Sequence, residues 1–430
     1  MGIIGDVRLA ATTLWRPACG EPWRRPMTTY SRTLVPLLVV LILFQSAVIL
    51  FIDLRRPYWG DEAHFVSTAR AFADGMSVET LRTYNEMSGP LPFALYGLWG
   101  RLFGIDIQVL RLLSVIIAIA TYVLLHRLLF TVFRDPRTAL LTTVFVVVQP
   151  YMIGFSVFVF TDMLAMAFLV LACLAVLRQK PVLLAVALAC GLLCRQYLVF
   201  LVLAAGVYSL LRLAKERDRA DLSMLLALGV SLLPMVALGL FWGGLSPDNQ
   251  LRRLFLDERP AFHPSYLSLY VSQMFVYLFP LVVLFWRRLY LENPSLSLAG
   301  FLLACAYWLF PIAPPVYTLN AGIETVGFFH RAVRMIVGVQ REQSVLFVAC
   351  LLGMPVVLAV VRDAWTCWKR RDLDFLFFCS LAILSFLLVM PWSYLCWEKY
   401  FLPVVRLASM QLVARYRESS APVSPSRRAG

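Results

Sequence analysis

The stretch LVPLLVVLILFQSAVILFI, residues 34–52, carries no charged side chain and is about as long as the run of some 20 apolar residues that crosses a bilayer as a helix. It is long for the core of a signal peptide, and no small-residue cleavage site stands immediately behind it, so it reads as a retained first membrane span. Ahead of it, residues 1–33 carry Arg8, Arg16, Arg24, Arg25 and Arg32 and read as a disordered cytoplasmic segment. Met27 is a second possible start. The rest of the chain repeats the theme. Of 430 residues 60% are hydrophobic and 15% charged, with mean hydropathy +0.76, far from the composition of a water-soluble domain. The sequence therefore predicts an all-α polytopic membrane protein.

Spans fall at about 12 places: 34–52, 107–129, 138–156, 161–177, 181–194, 197–211, 222–243, 266–286, 296–313, 344–361, 373–391 and 397–413. The net charge of +14 then has a topological reading, because most of the 39 Lys and Arg residues sit in short clusters such as RLAKERDR and WKRR that alternate with apolar runs. Those clusters mark the cytoplasmic face and give no continuous basic surface for nucleic acid. The cysteines lie mostly inside apolar runs, without the paired spacing of metal ligands or a disulfide framework. Boundaries follow from the spans: an N-terminal segment 1–33, a transmembrane core 34–243, a C-terminal transmembrane region 244–413 and a cytoplasmic tail 414–430. The pair 181–194 and 197–211 is short enough to be one broken helix. The basic clusters at either side favour two passes with Arg195 and Gln196 in an outer turn.

The first outer loop, 53–106, is far longer than helix connections in bundles usually are, and loops of that length tend to be functional. It opens with RRPYWGDEAHFVSTARAFADG, residues 55–75. Behind Asp61, the positions Phe65, Ala69, Phe72 and Ala73 recur at helical spacing, predicting an amphipathic interfacial helix. A second helix-like piece, LPFALYGLWGRLFG, sets Tyr96, Trp99 and Phe103 at the level of an aromatic belt. The same outer face receives Asp162 at the start of the fourth span, Arg195, and Glu398 with Lys399 before the last. Charges at membrane depth are costly and usually pair or line a cavity. Each has a plainer reading: Asp61 and Asp162 as helix caps, Arg195 as an interfacial arginine, Arg111 as a surface anchor and His64 as a helix-surface histidine.

These motifs resemble a known family. A first span, then YWGDEAHF, then GPLPFALYGLWGRLFG, then LRLLS entering the second span is similar to the GT-C superfamily of membrane glycosyltransferases, in its protein mannosyltransferase and aminoarabinose transferase branches. TDM at the fourth span, CRQ at the fifth-to-sixth turn and WEKYFLP near the C-terminus are similar to the dolichyl-phosphate-glucose α-1,2-glucosyltransferase family, whose DE.FH loop DEAHF matches with the histidine displaced by one position. The resemblance implies transfer of a hexose or pentose, with inversion, from a polyprenyl- or dolichyl-phosphate carrier to an acceptor hydroxyl on the outer or lumenal face. The acceptor is a glycolipid, a polysaccharide or a protein. One carboxylate acts as base; the leaving phosphate needs a cation rather than the acid that an inverting glycosidase supplies. By motif position the catalytic candidates are Asp61, Glu62 and Asp162, and the donor phosphate falls to Arg195, whose planar guanidinium suits phosphate, then Lys399 and Arg111. No metal is required by the spacing, although outer carboxylates could hold a divalent ion. Compact loops favour a bacterial inner membrane over the endoplasmic reticulum. The competing class is a twelve-span transporter or lipid-carrier flippase, against which stand dissimilar halves and the long first outer loop.

Overall fold

The computed structural model describes residues 27–256, 262–320 and 322–417; most of the expected N-terminal segment and most of the tail lie outside them. Every described secondary-structure element is helical. In chain order the α-helices are α1 (Met27–Ile52), α2 (Glu62–Asp74), α3 (Val78–Thr83), α4 (Leu91–Phe103), α5 (Ile107–Phe133), α6 (Pro136–Val147) and α7 (Pro150–Phe155). There follow α8 (Asp162–Leu177), α9 (Pro181–Cys194), α10 (Val199–Glu216), α11 (Arg219–Trp242), α12 (Gln250–Leu256), α13 (Pro264–Val276) and α14 (Phe279–Leu284). The last are α15 (Pro294–Ala304), α16 (Val316–Asn320), α17 (Phe328–Val337), α18 (Val339–Arg370), α19 (Phe375–Val389) and α20 (Leu402–Arg417).

Each expected span is helical, but the count of full crossings changes. Among the described residues six helices are long and apolar enough to cross a membrane: the 34–52 part of α1, then α5, α10 with the turn before it, α11, α18 and α19 with the turn after it. The other expected spans are shorter or broken. Proline is the cause in several places, since the residue before it is pushed out of the helical region: Gln149 is extended ahead of Pro150 and splits 138–156 into α6 and α7. Proline at the start of α6, α9, α13 and α15 opens a helix instead, where its missing N–H is no loss. Asp135, Asp218 and Asp374 cap α6, α11 and α19 with their carboxylates. The chain between Cys194 and Val199 does not continue one helix; Arg195 is extended, α9 packs on α8 and α11, and α10 packs on α19.

Hydrogen bonds sort the connections to two ends of the bundle. At one end Trp242 Nε1 donates to Leu81 O, Asn249 Nδ2 to Tyr84 O and Glu86 O, Gln196 Nε2 to Met87 O, and His263 N to Pro391 O. At the other, Tyr208 Oη donates to Leu373 O and Arg415 lies 3.7 Å from Asp374. The second end carries the basic clusters, as the charge pattern predicted.

The first outer loop behaves differently from expectation in one respect. Its helices α2 and α4 exist, but α2 buries Phe65, Ala69 and Phe72 against Phe93, Tyr84 and Phe160 rather than spreading them on lipid. Gly97 allows this contact, since a side-chain carbon there would strike the backbone at Phe72 and Ala73. Tyr96 likewise leaves the expected aromatic belt: it is buried, with its hydroxyl 2.7 Å from Ser114 Oγ. Phe103 stays exposed. The loop is thus a packed cap on one end of the bundle.

Candidate active site

Asp61 stands at the N-cap position of α2, yet its carboxylate makes no capping hydrogen bond. It faces Lys399 instead, whose ammonium donates to Asp61 Oδ2 at 2.6 Å. The two residues are 338 positions apart. Asp61 keeps 54% of its side chain exposed while Lys399 keeps 11%, so the lysine comes from a closed wall and the carboxylate meets the opening. Lys399 holds the Asp61 carboxyl below the usual carboxylate range, outweighing the opposing effect of burial. Asp61 is therefore ionised at neutral pH.

The pair opens on a cleft of about 270 Å³, near the lower end of sizes that hold small ligands. Trp59, Tyr151, Phe155, Phe160, Phe328 and Trp397 line it, with Arg331 as a second cation. The Arg331 side chain is exposed and makes no ion pair or hydrogen bond among the described residues. An aromatic wall, one ionised carboxylate and two cations can stack a sugar ring, accept a proton and hold a phosphate. Among the described residues no three His, Cys, Asp or Glu side chains are grouped to hold a metal ion.

Three other carboxylates near this end are committed elsewhere. Glu62, fully buried, takes a bidentate pair from Arg111, with Nε at 2.9 Å and Nη2 at 2.6 Å. It also accepts from Trp59 N and Val159 N. Arg111 spends its remaining donors on the carbonyls of Leu54, Arg56 and Pro57. Both are closed to solvent and saturated, and neither Glu62, expected as a catalytic group, nor Arg111, expected as a phosphate contact, lines the cleft: they clamp the start of the cap to α5. Asp162, also fully buried, takes Arg195 Nη2 at 2.5 Å. Neither of these lines the cleft. Arg195, the expected phosphate clamp, lies between the rings of Phe65 and Tyr400, 5.9 Å from each centre, with 11% of its side chain exposed, and does not line the cleft. Glu398 accepts from Phe329 N and His330 N, both at 2.8 Å, and from Tyr277 Oη at 3.0 Å. It caps α17 and so fixes the helix that carries Arg331. Gly327 precedes that helix at a point where any side-chain carbon would strike Tyr151 Oη and the Glu398 carboxyl.

Two residues escaped the sequence reading. Arg331 sits in FFHRAVRMIV, legible as an amphipathic segment but with nothing to say which arginine meets the cleft. Glu86, in the cap, is buried, and one of its carboxyl oxygens has no hydrogen-bond partner. Burial pushes its carboxyl up to about 8, with Arg195 pulling the other way. No pattern in TYNEMSG marks it.

A family model described as the DIE2/ALG10 family matches residues 93–233, about a third of the chain. This is a family of dolichyl-phosphate glucosyltransferases, and the match supports a membrane glycosyltransferase. The match does not support the bacterial inner membrane expected above, nor a specifically bacterial branch of the superfamily. No curated protein and no solved structure matches the chain. The matched stretch runs from α4 into α11 and contains Arg111, Asp162 and Arg195, but neither Asp61 nor Lys399.

Proposed function

We propose that this protein transfers a sugar, hexose or pentose, from a polyprenyl- or dolichyl-phosphate carrier to an acceptor hydroxyl at the end of the bundle capped by residues 53–106, in the endoplasmic reticulum membrane. The observation that carries the reading is the pairing of a half-exposed, ionised Asp61 with Lys399 at the mouth of an aromatic cleft that also presents Arg331. The acceptor hydroxyl gives its proton to Asp61, and its oxygen attacks the anomeric carbon opposite the phosphate. The anomeric carbon–oxygen bond breaks, the pair of electrons stays with the phosphate, and the sugar inverts. Lys399 and Arg331 take up the charge that builds on the departing phosphate. The Lys399 ammonium lowers the basicity of Asp61, and a donor phosphate that draws the ammonium toward itself raises it again. Arg195 and Asp162 act below, holding Tyr400 and thereby Lys399.

A lipid donor suits the position, because its tail stays between helices while its head reaches the bundle's end. A glycolipid, a polysaccharide or a protein serves as acceptor. Transfer of labelled sugar from a lipid-phosphate donor in membranes tests the reading, with Asp61→Asn and Lys399→Met beside the unaltered protein. Unimpaired transfer by Asp61→Asn at normal protein level would remove Asp61 as the base, and retention of the anomeric configuration in the product would remove the single displacement.

A further inference from the structure

At the opposite end of the bundle lies a larger cavity, about 1050 Å³, that the transfer reaction does not use. One wall is a single face of α6, where Thr138, Leu141, Thr142 and Phe145 recur at helical spacing. The other wall is α14 and the chain beyond it, which winds into a π-helical turn over Arg287–Leu291. Such turns are rare and are often found at functional sites. Val413 of α20 also lines it.

The polarity of the cavity is graded. Leu141, Leu284 and Leu291 expose 69%, 70% and 60% of their surface along it, so its body is apolar and open to the membrane. Its mouth is cationic. The Arg287 side chain is exposed and makes no ion pair or hydrogen bond among the described residues, and Arg288 lines the same edge. Among the described residues Glu292 is the one carboxylate in the lining, 3.9 Å from Arg288 Nε and 61% exposed. Arg134 and Arg137, both exposed, flank the start of α6. Trp286 stacks on Tyr290 with ring centres 4.1 Å apart, an aromatic pair suited to the headgroup level.

We propose that this groove binds an anionic glycerophospholipid, one acyl chain along α6 and the phosphate at Arg287. An apolar groove of this size facing a bilayer is filled by lipid, because an empty one forfeits the dispersion contacts of its whole lining. The surplus of arginines at the mouth selects an anionic head over a zwitterionic one, and it lies at the basic end of the bundle, which faces the leaflet rich in such lipids.

The test uses the full chain purified in detergent and native mass spectrometry with phosphatidylserine or phosphatidylcholine of the same acyl chains. Phosphatidylserine should be retained about tenfold more strongly. Arg287→Gln should cut its retention about fivefold, the worth of one basic residue near a charged headgroup. Leu141→Trp, which fills the groove from an exposed position on the opposite wall, should reduce retention of both lipids. Equal retention of the two lipids, or unchanged retention in either variant, would overturn the proposal. Displacement of phosphatidylserine by millimolar inorganic phosphate would do so as well, since it would mark a site for a soluble anion.

Discussion

Asp61 and Glu62 are adjacent in sequence, both acidic, both at the start of α2, and each meets a basic side chain at 2.6 Å. Glu62 turns inward to Arg111, where both partners are shut off from solvent and five further hydrogen bonds surround them. Asp61 turns outward to Lys399 and keeps half its surface in the cleft. The first pair has no free lone pair or donor left for a substrate; the second has both. What separates them is access and spare hydrogen-bonding capacity rather than charge, and a buried, saturated ion pair holds structure while a half-open one can exchange partners.

The sharpest way to break this contrast is to neutralise each acid in turn. Asp61→Asn should lower the transfer rate about 10²- to 10⁴-fold, the usual worth of a positioned proton acceptor, with the unfolding temperature in detergent unchanged. Glu62→Ala should do the reverse, costing about 3–5 kcal/mol of stability by stranding the Arg111 guanidinium. Thermal unfolding measures it, and a stable Glu62→Ala protein that has lost only its activity would reverse the roles assigned to the two residues.

Lys399→Met sharpens the second half of the contrast. The donor KM should rise about 10- to 100-fold as one phosphate contact goes. Because Lys399 lowers the Asp61 pKa, its removal should also move the acidic limb of the pH–rate profile upward. A limb that stays in place while KM rises would separate phosphate binding from any hold on Asp61.

Glu86 supplies a third case in the same cap, buried like Glu62 but with no cation bonded to it among the described residues. Its pKa rises from 4.5 in the unfolded chain to about 8 in the folded one, so the folded state binds the extra proton between those values. The stability this group contributes is complete below about 4.5 and lost as pH climbs through about 8. Glu86→Gln should therefore leave stability alone in acid and gain on the order of 5 kcal/mol above pH 8, read as diverging unfolding temperatures across the pH range.

Much of the fold was legible, for a physical reason. A bilayer demands long apolar helices and leaves little freedom about them, so span positions could be read nearly to the residue, as with 181–194 and α9. Breaks within spans were harder, since a proline such as Pro150 opens one helix as easily as it ends another. The site was legible only in part. GDEAH and WEK could each be singled out as charge where charge is costly, but side-chain direction is set by what packs around a helix start. The capping reading of Asp61 failed for that reason: Lys399, unknown to the local sequence, offered its carboxylate a better partner than the first turn of α2. Arg195 was the expected phosphate clamp for its planar guanidinium, and in the structure that guanidinium pairs with Asp162 between the rings of Phe65 and Tyr400.

By itself, then, the sequence determined an all-α membrane bundle, the end that carries its basic clusters, and the long first outer loop at the other. Those features follow from hydropathy, length and charge, which are sums over local stretches. Tertiary structure alone decided which acid faces the cleft, which is locked to Arg111, and that Arg331 on α17 joins Lys399 beside Asp61. Such choices turn on contacts between residues hundreds of positions apart, where burial and spare hydrogen-bonding capacity, rather than residue type, set what a carboxylate can do.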